Sequence, residues 1–242
     1  MNEVTMSGVL KGGFEEVSND GVKFTLVNRN QRGDISENEE FIVLAYGNSA
    51  QFLKQHAQSG KRVVIQGRLS SEKLGTDNYH TAITASRVLS IADSSQGIDY
   101  THAVISGTAK SEGLRRLENN NKTPLINLNV ANVRTYKTKA GEVNEYTTYL
   151  GGTVWGARAE ELSDSYEFPF DDVPVLFDGI LKPRSYENKD GESVYKIDVW
   201  INNLSVLSPL RETEEDDEPE TVEEEAPQKA QSRSKKLSDA PF

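Results

Sequence analysis

The chain has 242 residues, with 27 Lys+Arg, 38 Asp+Glu, three His and no Cys, for a formal net charge of −11. The missing Cys excludes disulfides, thiol nucleophiles and Cys-held zinc, and His56, His80 and His102 are too scattered to suggest a metal site. No apolar run approaches the roughly 18 residues of a membrane span, and residues 1–20 lack a charged start followed by an apolar stretch. The expectation is a cytoplasmic protein with no membrane partner and no cofactor.

Taken in order, strands are expected over Val4–Leu10, Val22–Asn28, Phe41–Tyr46, Arg62–Ser70 and Tyr79–Ser90. A short helix, Ser49–Gln58, falls between the third and fourth, with Gly60 placed to end it. Residues 93–101 are polar and read as a linker. A second set of strands follows at Ala103–Lys110, Pro124–Arg134, Tyr146–Trp155, Val173–Lys182 and Val194–Leu207, with a helix over Ala157–Ser163. Five strands with one helix between the third and fourth is the layout of the OB-fold, a small Greek-key barrel. The expected fold is therefore all-β: two tandem OB-fold barrels, 1–92 and 102–210. The remainder, 211–242, is expected to be disordered. Its segment from Thr213 to Glu225 offers almost no apolar surface to offset ordering entropy.

The two sets are an internal repeat. Met6-Ser7-Gly8-Val9-Leu10-Lys11 returns as Ile105-Ser106-Gly107-Thr108-Ala109-Lys110. Tyr46-Gly47-Asn48-Ser49-Ala50 returns as Trp155-Gly156-Ala157-Arg158-Ala159, and Gln66-Gly67-Arg68-Leu69 as Asp178-Gly179-Ile180-Leu181. Tyr79 through Ser90 corresponds to Tyr195 through Val206. The growing offset falls in polar stretches, where loops accept insertions.

Charge is unevenly placed. Residues 211–242 hold 11 acids and 5 bases, whereas residues 1–92 hold 10 of each. The barrels are only mildly acidic, and neither is a basic domain by bulk charge.

No catalytic constellation emerges, so no enzyme is expected. The informative side chains are aromatic: nine of the 11 Tyr and Trp lie between residues 93 and 210. Alternate residues of a strand face opposite ways. On Tyr146–Trp155, Leu150 and Val154 mark a core face, while Thr147, Tyr149, Gly151, Thr153 and Trp155 share the other. On the last strand Trp200 shares a face with Lys196, Asp198 and Asn202. Flat rings on a polar barrel face are what base stacking requires. Lys110, Arg115, Arg116, Lys122, Arg134, Lys137, Lys139, Lys182 and Arg184 stand nearby in sequence as phosphate contacts. Gly151-Gly152 reads as a bend or a close backbone approach. Phe41–Tyr46 is apolar on both faces, which implies cover by a loop, a neighbouring domain or a second subunit. A dimer interface is one expectation.

These units resemble the OB-folds of bacterial and phage single-stranded DNA-binding proteins. The resemblance rests on Glu145 through Glu160, on Asp178-Gly179-Ile180-Leu181-Lys182, on the hairpin from Tyr186 to Tyr195 around Lys189-Asp190-Gly191, and on the chain's end, Asp239-Ala240-Pro241-Phe242. It implies a non-enzymatic protein that covers single-stranded DNA in replication, repair or recombination. Two chains would supply four barrels as a homodimer, and the divergence of the match suggests a phage-encoded member. The family's stacking positions fall on Tyr136, Tyr149, Trp155 and Tyr186 in the second unit. In the first unit they fall on Arg32, Glu40 or Phe41, Tyr46 and Leu74. Trp200 joins the stacking candidates, and Arg32, Arg68 and Lys73 join the phosphate contacts. Asp239, Ala240, Pro241 and Phe242 resemble the tail tip that docks on partner proteins. The alternative is an OB-fold interaction scaffold or recombination mediator with little DNA affinity.

Overall fold

A computed structural model describes residues 1–18, 20–32, 35–73, 78–118, 122–138 and 141–207, without the side chains of 30–32 and 35–37. Lys139 and the tail expected over 211–242, with its tip Asp239–Phe242, lie outside the described residues. Arg32 lies in a strand, but its side chain is among those not described.

The first barrel comprises β1 (Asn2–Ser18), β2 (Gly21–Arg32), β3 (Ile35–Tyr46), α1 (Gly47–His56), β4 (Lys61–Lys73) and β5 (Tyr79–Asp93). The second comprises β6 (Tyr100–Ser111), β7 (Leu114–Arg116), β8 (Pro124–Lys137), β9 (Val143–Trp155), α2 (Ala157–Ser165), β10 (Phe170–Glu187) and β11 (Ser193–Val206). Pairings β1–β2, β2–β3, β3–β5, β5–β4 and β4–β1 close the first barrel. Pairings β6–β8, β8–β9, β9–β11, β11–β10 and β10–β6 close the second. In each the short parallel contact, β3–β5 or β9–β11, completes the ring. Both are OB-folds, as the element order implied. Antiparallel pairing of β1 with β6, from Asn2↔Ile105 to Ser7↔Tyr100, joins them.

The alternating patterns do what period-two burial requires. Val4, Met6 and Leu10 on β1, and Ile197, Val199 and Ile201 on β11, enter the core, while Lys196, Asp198 and Trp200 between the latter stay partly exposed. α1 buries Ala50 and Leu53, and α2 buries Ala159. The repeat has a steric cause at two positions. Gly67 and Gly179 each follow a register shift, and a Cβ there would stand 2.2 Å from the carbonyl oxygen of Thr84 or Trp200. The neighbouring strand passes too close for any side chain, so both copies need glycine.

Several expectations change. The strands outrun their apolar runs: β8 continues to Lys137 and β10 to Glu187 on exposed polar residues. Ladder hydrogen bonds sustain these hairpins without an apolar signal. β7 was not expected. α1 ends at His56, with the Ala57 N–H donating to the Leu53 carbonyl. Gly60 instead adopts φ +85° in the turn into β4, donating to the Leu10 carbonyl at 2.8 Å. The segment expected as a linker is short: β5 ends at Asp93 and β6 begins at Tyr100. Arg62 and Asp99 form a largely buried ion pair beside it.

The outer face of Phe41–Tyr46 is covered in part by the chain itself. Phe41, Val43 and Ala45 fill the first core, and Leu44 is only 1% exposed within the single chain. The Tyr195 hydroxyl of β11 donates to the Glu40 carbonyl at 3.0 Å and accepts from the Ile42 N–H at 3.3 Å. The neighbouring barrel thus reaches this strand through Tyr195, and Leu44 is buried without a second subunit, while Ile42 stays half-buried and Tyr46 is 40% exposed.

Candidate nucleic-acid interface

The outer face of the second barrel is built by β9, β10 and β11. On β9, Thr148, Leu150, Gly152 and Val154 point inward, while Tyr149 is 65% exposed and Thr153 and Trp155 are half-buried. β11 runs parallel alongside, pairing Trp200 with Thr153. Trp155 and Trp200 therefore meet edge to face, with ring centroids 5.6 Å apart. The buried indole N–H of Trp155 has no acceptor among the described residues.

Each of three rings carries a cation. Lys182 Nζ lies 4.8 Å from the Trp200 centroid, Arg184 5.0 Å from Tyr186, and Arg134 5.9 Å from Tyr136. Tyr136 and Tyr186 are exposed on the extended hairpins. A ring beside a guanidinium can stack on a base while the cation meets the neighbouring phosphate. Two of these cations already have partners. Lys182 ion-pairs with Glu39 of β3, both side chains nearly buried, and Arg184 with Asp198 of β11. Phosphate can reach them only by competing with a carboxylate. Lys137 is exposed at the end of β8.

The glycine pair has a side-chain explanation. A Cβ on Gly151 would stand 2.4 Å from Asp198 Oδ1, and one on Gly152 2.8 Å from Ile201 Cδ1. The close approach is to side chains of β11 rather than to its backbone. The bare Gly151 leaves the place in which Asp198 receives Arg184.

The first barrel's candidates form a second group. Tyr46 ends β3 and is 40% exposed, Arg68 is half-buried on β4, and Lys73 Nζ lies 5.5 Å from the ring of Tyr79. Two tyrosines that the sequence reading did not select join them. Tyr79 is exposed at the start of β5, and exposed Tyr146 of β9 donates its hydroxyl to the Ser71 carbonyl of β4 at 2.7 Å. Tyr146 shares the parity of Leu150 and Val154, whose side chains mark the core face. It lies beyond the barrel rim, where inward parity faces the other barrel instead. Burial, then the Glu72 charge, pushes the Tyr46 and Tyr146 hydroxyls above the usual phenol range. Burial, then the charge of Arg134, holds the Arg68 guanidinium below its ordinary value. No cluster of metal-ligating side chains occurs among the described residues.

No family model matches the chain. It is 25% identical over 122 residues to the single-stranded DNA-binding protein 2 of Chlorobaculum tepidum, covering 50% of this chain and 80% of that protein. Its fold is similar to that of the single-stranded DNA-binding protein from Thermus aquaticus. A deletion variant of that protein superposes with a TM-score of 0.63 at 17% identity over 89% of this chain and 98% of the other. The wild-type structure gives 0.63 at 15% identity over 86% and 94%. Coverage this wide takes in both barrels. The chain is thus similar in sequence to one single-stranded DNA-binding protein and shares the two-barrel fold of another.

Proposed function

We propose that the protein binds single-stranded DNA without reading its sequence, stacking bases on Tyr149, Trp155 and Trp200 and on the hairpin rings of Tyr136 and Tyr186. The observation that carries this is the Trp155–Trp200 pair beside exposed Tyr149 on the outer face of a closed barrel. Aromatic surface grouped on a polar barrel face marks a ligand-binding or interaction site. Arg134, Lys137 and Arg68 are the phosphate contacts best placed to act, with Lys182 and Arg184 contributing after exchange of their carboxylates. It is a binding protein rather than an enzyme. No helix among the described residues is long and apolar enough to cross a membrane.

The finer reading is that the protein covers single strands during replication, repair or recombination. Two chains would bring four barrels together, and Asp239–Phe242 would recruit partner proteins. The resemblance of the chain's end to the family's docking tip supports that last role. One observation favours the scaffold alternative: Lys182 and Arg184 are already neutralised.

Both tryptophans sit at the proposed site, so fluorescence titration tests it directly. Oligo-dT should quench the emission at low salt, and duplex DNA should do so far less, because a paired helix hides its base faces. Absence of quenching with every oligonucleotide would favour the scaffold.

A further inference from the structure

The internal repeat allows the two barrels to be compared position by position. The parallel contact that closes the first barrel pairs Leu44 with Thr84, and the one that closes the second pairs Thr153 with Trp200. Thr84 therefore stands in the first barrel where Trp200 stands in the second. By the same correspondence Ala82 stands at the place of Asp198 and His80 at that of Lys196. In the second barrel these places carry a ring and two charges, all partly exposed. In the first they are 5%, 0% and 7% exposed. Leu44 and Ala82 are buried without belonging to the continuous core that fills the barrels. An outer face that is small, apolar and buried is packed against protein, not open to bases.

The β10–β11 hairpin of the second barrel reaches this face. His80 Nδ1 accepts the Tyr195 N–H, and the Tyr79 carbonyl accepts from Lys196 Nζ, both at 3.0 Å. At the hairpin's far end the Asn78 amide donates to Glu192. Along its near side the Tyr195 hydroxyl bridges Glu40 and Ile42 of β3. The same hairpin carries Lys182, which lies over the Trp200 ring and ion-pairs with Glu39 of β3. Arg184 takes its carboxylate from Asp198 of its own barrel, whereas Lys182 takes one from the other barrel. The Lys182 and Glu39 side chains are 13% and 11% exposed, so water screens this pair little.

We infer that the first barrel sets the affinity of the second: its counterpart of the tryptophan face is a joint for the β10–β11 hairpin, and Glu39, presented at that joint, occupies Lys182 in place of a DNA phosphate. This rests on the single-stranded DNA reading of the tryptophan face and extends it to the barrel that lacks the rings. A phosphate arriving beside Trp200 displaces Glu39 and removes one bond of the joint. An intact joint in turn weakens the phosphate contact, because the two effects share one coupling free energy.

The test uses the full chain and an oligo-dT of about 8 nucleotides, within the span of one OB-fold. Glu39→Gln should bind it on the order of fivefold more tightly than wild type, the scale of one ion pair. In a chain that already carries Lys182→Gln, the same change should alter affinity by less than about twofold, because the coupling passes through that lysine. Glu16→Gln also removes a carboxylate of the first barrel and frees a lysine, Lys54. It should stay within about twofold of wild type. Unaltered or weaker binding by Glu39→Gln overturns the inference. Equal tightening without Lys182, or by Glu16→Gln, overturns it too, since Glu39 would then act only as bulk charge. Wild type supplies a readout that needs no variant and decides the matter should Glu39→Gln fail to fold. Saturation with the same strand should speed hydrogen exchange at the Ile42 and Tyr195 amides, both bonded across the joint. Unchanged or slower exchange overturns the inference. If wild type binds no oligonucleotide, the single-strand reading itself fails and the role of the joint with it.

Discussion

Tyr149 is the residue at which binding and stability separate most cleanly. Its ring is 65% exposed, so Tyr149→Ala should leave the thermal midpoint nearly unchanged. The same change should cost about 1–3 kcal/mol of single-strand affinity if a base stacks there. Trp155→Ala differs, because it also strips the edge contact from Trp200 and should lower both quantities. Calorimetric melting beside a fluorescence titration distinguishes the two. His80 is a second residue with a defined consequence. It is 7% exposed, and its Nδ1 accepts the Tyr195 N–H of β11 at 3.0 Å. Burial, then the charges of Lys196 and Lys23, holds its pKa below the ordinary His value. A depressed His pKa means that the unfolded chain binds the proton more readily than the folded one. The stability contributed is complete above the ordinary value, about 6.5, and is lost as pH falls through it and through the lower folded value. The melting temperature of wild type should therefore drop more between pH 7 and pH 5 than that of His80→Gln, which retains an acceptor and does not titrate. Equal drops would show that the barrel joint does not depend on this proton.

At the level of elements, the repeated glycines are the strictest requirement. A Cβ at Gly67 or Gly179 meets backbone rather than a movable side-chain end, so the strands themselves must shift. Gly67→Ala and Gly179→Ala should each destabilise by about 1–3 kcal/mol, the usual cost of overpacking, read by denaturant unfolding. Gly151→Ala should cost less in stability, since the Asp198 carboxylate can turn away. It should instead release Arg184 from Asp198. The barrel strands were legible because Val4, Met6 and Leu10, or Ile197, Val199 and Ile201, alternate with polar neighbours. The hairpin ends were not, because exposed ladders such as Arg134 to Lys137 have no apolar period to read. Tyr146 was missed for a related reason: parity predicts burial only within the ring of strands.

Over the whole molecule, the two barrels are not independent modules. β1–β6 pairing, the Glu39–Lys182 ion pair and the Tyr195 hydroxyl link them, so substitutions in the intact chain test their contributions better than isolated barrels do. Log affinity for oligo-dT should fall with log salt by about 0.7 per phosphate contacted, and titrations at several salt concentrations give that slope. Residues 212–225 hold ten acids and no base. Removal of 212–242 should leave single-strand affinity equal or tighter, most visibly at low salt where screening is weak. Removal of Asp239–Phe242 alone should leave DNA affinity unchanged while abolishing capture of a tip-binding partner. A tail-less chain that bound distinctly more weakly would assign the tail's bases to the DNA site.

From the amino-acid order alone came the two barrels, their helices, the outward faces of β9 and β11, and the aromatic bias toward the second unit. These depend on short-range periodicity and on a repeat, both of which survive without coordinates. The tertiary structure decided which side chains meet. Phe41–Tyr46 announced a covered strand, but only folding brought Tyr195 of β11 against it. Lys182 and Arg184 read as cations awaiting phosphate, and long-range packing brought Glu39 and Asp198 to them. Arg68, Arg134 and Tyr146 carry no sequence signal of proximity. They come together because β4 of one barrel and the β8–β9 hairpin of the other adjoin, and such contacts depend on how closed barrels dock rather than on any local pattern along the chain.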